Sequence, residues 1–255
     1  LTGIDYVLPL YGSRNVGDAT SSPEPSFVGQ KMADIFFHRN RLGFISDESI
    51  VMSRAGEFFE FFPETVTTIL DSDPIDVNVS HVKVSKLRHA VPFNEELLLF
   101  SDQTQFVLAG ANILTPSNVV INATTEFESS LDAKPVSAGR NVFFAFKKGD
   151  YTGLREYYVD SDSDTNDADD ITAAVPKYIP KNVFKMAIAT NENFLAVLSS
   201  DEVNTLYCYQ WYINNNEKLQ AAWHKFTFGA TANTTILNCD FIETDLYLLV
   251  QRTDG

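Results

Sequence analysis

The chain has 255 residues, 44% of them hydrophobic and 13% aromatic, enough to bury a core of domain size. Its 34 acidic and 19 basic residues leave a formal charge of −15, which disfavours sequence-independent attachment to phosphate backbones or anionic lipid. No apolar run reaches the roughly 18 residues that a membrane-crossing helix needs, and residues 1–10 show no basic segment followed by a cleavable apolar one.

In chain order, residues 1–31 read as a linker or loop. The stretch 11–30 mixes Gly, Pro and Ser and follows neither a 2.0 nor a 3.6 residue period. From Met32 the character changes to short apolar runs bounded by polar turn residues, so residues 32–255 are expected to form an all-β domain. Five such runs, at 42–46, 97–100, 142–146, 194–198 and 246–250, are each followed by a turn aspartate: Asp47, Asp102, Asp150, Asp201 and Asp254. The aspartates stand 55, 48, 51 and 53 residues apart. Four-stranded blades of a β-propeller account for a period of this size, because one small sheet cannot cover both its faces until neighbours stack on it. A β-sandwich with regularly spaced hairpins is the rival reading. On the propeller reading, about four blade units are followed by the first strand of a fifth. The best helix candidate is brief, at 168–174, stopped before Pro176.

Residues with chemical potential are few. Six aspartates fall between Asp160 and Asp170, and Asp160, Asp162 and Asp164 have the alternate spacing that opens a calcium loop. The remainder of the loop pattern fails, with Thr165 where a Gly belongs and Ile171 where a bidentate Glu belongs. A solvated acidic loop is the plainer reading, since charges this dense repel one another. His38, His81, His89 and His224 stand at no metal-ligand spacing and read as surface or interface residues. Cys208 and Cys239 lie in strand-like contexts, as buried free thiols. No nucleophile elbow, phosphate-binding glycine loop or dinucleotide fingerprint occurs, so no catalytic residue and no cofactor is assigned. A pair of carboxylates doing glycosidase chemistry stays open.

One stretch runs Phe36-Phe37-His38-Arg39-Asn40-Arg41-Leu42-Gly43-Phe44, then Met52-Ser53-Arg54-Ala55-Gly56, then Phe58, Phe59, Phe61 and Phe62. After it come Asp71-Ser72-Asp73-Pro74-Ile75-Asp76, Leu97-Leu98-Leu99-Phe100-Ser101-Asp102, Leu114-Thr115-Pro116, Pro135-Val136, Asp170-Ile171-Thr172 and Ala222-Trp223-His224. In this order, over about residues 25–255, the chain resembles the tail tubular protein B family, the nozzle proteins of short-tailed bacteriophages.

The resemblance implies a structural segment of a longer virion tail protein, made in the host cytoplasm. It further implies a ring of six copies through which DNA is ejected, contacting an adaptor protein above and tail fibres beside it. The matched residues have physical roles in holding a shape. Arg41 and Asp73 belong to the matched motifs, and Arg54 is placed to donate to loop carbonyls. Gly56 and Gly110 suit turns with positive φ. Pro74 and Pro116 stiffen turns between blades, and Trp223 brings a large apolar face with an indole N–H that needs an acceptor. Six copies at −15 each carry −90 formal charges, so DNA would pass such a wall without being held. The alternatives are a tail-associated glycan hydrolase and a receptor-binding propeller module.

Overall fold

The computed structural model describes residues 10–80, 86–160, 163, 165–214, 217–229 and 233–253. Among them every regular element is a strand, in short antiparallel sheets of which none closes, the propeller-like class anticipated from the period. The first sheet holds β1 (Met32–His38), β2 (Arg41–Ser46), β3 (Ser49–Met52) and β4 (Ile75–Asn78). The second holds β5 (His89–Phe93), β6 (Glu96–Phe100), β7 (Gln105–Ala109) and β8 (Val120–Thr125). The third is built from β9 (Val136–Ala138), β10 (Asn141–Lys148), β11 (Tyr151–Asp160) and β12 (Thr165–Asp170). The fourth contains β13 (Val183–Ala189), β14 (Phe194–Ser199), β15 (Thr205–Asn214) and β16 (Glu217–Thr227). A two-stranded sheet of β17 (Thr234–Ile242) and β18 (Asp245–Arg252) follows.

The recurring apolar runs are the second strands of these sheets: β2, β6, β10, β14 and β18. In the first four the lack of polar alternation has a packing cause, seen most plainly in β14, whereas β18 is largely exposed. Leu195 and Val197 face a core shared with Phe143, Ala145, Leu154 and Tyr207, while Ala196 and Leu198 face another shared with Cys208, Ile236 and Cys239. A strand covered on both faces needs apolar residues at both parities. The run at 246–250 lies on β18 and is therefore the second strand of its sheet, with β17 preceding it, and does not open the fifth unit.

The chain divides into two compact units. One comprises residues 1–92, 96–101 and 105–123, and the other residues 93–95, 102–104 and 124–255. In the first unit, Phe36, Ile45, Ile50, Met52 and Ile75 share a core with Leu97, Leu99, Phe106 and Leu108. Residues 10–31 contain turns but no strand. They are nonetheless tied down: the Gly12 N–H donates to Phe59 O, the Ser26 N–H donates to Asp76, and Phe27 meets Phe44 and Phe61 edge-on.

The expected helix at 168–174 is absent. Its first three residues belong to β12, registered against β11 from Arg155↔Asp170 to Asp160↔Thr165, and turns follow. Aspartate is a poor helix former, and an edge strand lets these carboxylates reach solvent or a partner without burying charge. The acidic segment is accordingly ordered in part, with Asp170 bonded to Lys148 at 2.7 Å.

Candidate functional site

Arg41 stands at the start of β2. It is 1% exposed. One guanidinium nitrogen donates to the carbonyls of Ser53 (2.7 Å) and Asp73 (2.6 Å), and the other to Asp71 (2.8 Å) and Leu114 (3.3 Å). These carbonyls belong to the long connections at 53–74 and 110–119, which lie outside the strands and pair only in part among themselves. A planar five-donor fork can satisfy several of them at once. Burial lowers the Arg41 pKa and the Asp73 charge opposes the shift. The Asp73 carboxylate is itself buried, accepting from the backbone N–H of Leu70 (2.8 Å) and of Glu64 (3.3 Å).

The clamp on loop carbonyls expected of Arg54 thus falls to Arg41. Arg54 pairs instead with Glu57 at 2.9 Å and Glu64 at 2.6 Å, both carboxylates more than half exposed. Gly56 has the positive φ anticipated for it, +78°, with its N–H donating to Asn40 O. Gly110 differs: its φ is ordinary, and a Cβ there would come within 2.6 Å of Leu114 Cδ1. Close approach, rather than a left-handed turn, selects glycine at 110. Pro74 and Pro116 lie in connections between the third and fourth strands of one sheet, not between sheets. His38, expected at the surface or an interface, is 8% exposed, and burial with the nearby Arg39 charge holds its imidazole down at about 4.

The second unit carries a ladder of aromatic rings with paired charges. Tyr209 stacks on Trp211 at 5.4 Å, Trp223 lies 4.9 Å from Tyr209, and Tyr178 meets Tyr207 edge-on at 5.5 Å. The Trp223 indole N–H donates to Ile171 O at 2.9 Å. Lys218 pairs with the buried Glu156, which also accepts from Asn141, and Lys225 stands 3.7 Å from Glu202. The Tyr207 hydroxyl donates to Glu202, and burial foremost pushes its pKa up.

Two further groups bear on chemistry. Cys208 and Cys239 are buried free thiols, pushed up by burial to about 12 and about 11 respectively, so both stay protonated and poorly nucleophilic at neutral pH. Among the described residues no group of three or more His, Cys, Asp or Glu is placed to hold a metal ion. Of the calcium candidates, Asp160 ends β11, while Asp162 and Asp164 lie outside the described residues. Asp160, Asp167 and Asp169 together raise the pKa of Tyr158, after burial.

Buried arginine, an aromatic ladder and protonated thiols belong to an all-β fold whose Arg41 and Trp223 bond to its own backbone. The family follows from comparison. The chain matches the bacteriophage nozzle protein family over residues 6–255 and belongs to it. It is 40% identical over 249 residues to the tail tubular protein gp12 of Escherichia phage T7, covering 97% of this chain and 31% of that protein. The chain therefore spans about a third of its relative's length. Among solved structures, Hsv2 of Kluyveromyces marxianus shares the fold with a TM-score of 0.52 at 8% identity, covering 86% of this chain and 60% of that one. The Nup170 N-terminal domain of Chaetomium thermophilum, solved with Nup53, gives 0.51 at 11% identity, covering 85% and 34%. At such identities the likeness concerns chain path alone.

Proposed function

We propose that this segment forms part of the wall of a ring of six copies in the tail, lining or supporting the conduit through which DNA leaves the capsid. On this reading it performs no catalytic step. The adaptor protein above and the tail fibres beside the ring are its further partners. The observation that carries the reading is the family match across residues 6–255, and the charge of −15 supports it. A wall of like-charged subunits repels the phosphate backbone and lets DNA slide.

On the same reading Arg41, Arg54, Gly56, Asp73, Pro74, Pro116 and Trp223 hold shape rather than touch a ligand. The full-length protein should give six-fold rings in electron micrographs, and those rings should fail to retain duplex DNA on a filter at physiological salt. Tight retention, or cleavage of capsule or peptidoglycan glycan by the rings, would overturn it.

A further inference from the structure

Each four-stranded sheet ends in a fourth strand bonded on one side only, and a free strand edge is a template for another chain unless it is guarded. Two of the four are guarded, β4 by its length of four residues and β12 by Asp167, Asp169 and Asp170, while β8 offers an uncharged edge of only six residues. β16 has eleven residues. Its bulge, opposite Tyr212 and Ile213, lies at the hairpin tip and leaves 220–227 in unbroken register with 205–212. Lys218 and Lys225 do not guard it, because their ammonium groups are drawn to Glu156 and Glu202. The remaining residues from Leu219 to Thr227 carry no formal charge. Leu219 is 55% and Phe226 50% exposed, and Ala221 and Ala222 are exposed between them. Across the hairpin, Tyr212 and Ile213 are exposed as well.

We propose that the free edge of β16 receives a strand from a second copy of this chain by β-augmentation. Charge selects the occupant. Copies at −15 each repel, so they can meet closely only along an uncharged strip, and β16 supplies one. A basic partner would find its complement at the acidic β12 edge instead. Backbone hydrogen bonds give the contact its register, and the small Ala221 and Ala222 allow a neighbouring strand to approach. The inference rests on the ring reading above and adds where the ring closes.

The test uses the full-length protein. Hydrogen exchange is followed through the β16 amides in assembled and unassembled fractions, and assembly is followed by mass photometry for the parent, the double variant Leu219→Glu with Ala222→Glu, and Ile113→Glu as an exposed apolar control outside this sheet. Amides of β16 should become protected on assembly in the parent. The double variant should need at least about tenfold more protein to assemble, as like charges facing each other across the contact oppose it, while Ile113→Glu should match the parent. Added salt should strengthen parental assembly by screening the acidic copies. Rings whose β16 amides exchange as fast as in the free protein, or a double variant that assembles like the parent, overturn the inference and leave the ring reading standing. A full-length protein that stays monomeric overturns both.

Discussion

The first and fourth sheets solve the same problem in opposite ways. Each must attach an outer strand to an antiparallel core pair. In the first, the path from β3 to β4 runs through residues 53–74, an irregular segment whose carbonyls have no ladder, and a buried arginine gathers Ser53, Asp71 and Asp73. In the fourth, only residues 215–216 separate β15 from β16, the two strands pair along their facing edges, and cohesion comes from Tyr207, Tyr209, Trp211 and Trp223. Irregular backbone costs a buried polar anchor, whereas a hairpin leaves its side chains free to pack.

The sharpest way to break that contrast is Arg41→Ala. It strands several carbonyls away from water and should cost about 3–5 kcal/mol, read as a lower urea midpoint. Arg41→Lys should not restore it, since one ammonium cannot replace a planar fork. In the fourth sheet Trp223→Ala should cost about 2–3 kcal/mol through lost packing. Trp223→Phe, which forfeits chiefly the bond to Ile171 O, should cost about 1 kcal/mol. Equal losses for the two Trp223 variants would mean that the indole bond, not the ladder, holds β16.

His38 sharpens the comparison through pH. Its folded value of about 4 lies below the ordinary 6.5. Between those values the unfolded chain takes up a proton that the folded chain refuses, so stability is lost as pH falls. From pH 7 to 5 the loss should be about 2 kcal/mol at most, and His38→Gln should flatten that part of the urea midpoint profile. The smallest effect belongs to Arg54→Ala. Its partners are mostly exposed, so the change should stay below about 1 kcal/mol. A loss as large as that of Arg41→Ala would return the clamp to Arg54.

That last pair marks where reading the sequence stops. Arg41 and Arg54 look alike in the chain, each beside an apolar run. Which one is buried depends on carbonyls at 71, 73 and 114, up to 73 residues from Arg41, and no local pattern encodes that meeting. The burial of His38 at the end of β1 belongs to the same class.

By contrast, the first four apolar runs were legible because a second strand covered on both faces is apolar at both parities, and the fifth was legible by its spacing although β18 is largely exposed. The buried thiols were legible for the same reason, sitting among alternating strand residues. Composition and period therefore determined the all-β class, the spacing of the sheets and the acidic character. Tertiary structure decided that the Asp-rich segment pairs as β12, that β17 precedes β18 and that β16 stands unguarded. Strand pairing and edge exposure depend on which backbones meet, and side-chain periodicity carries no record of the partner.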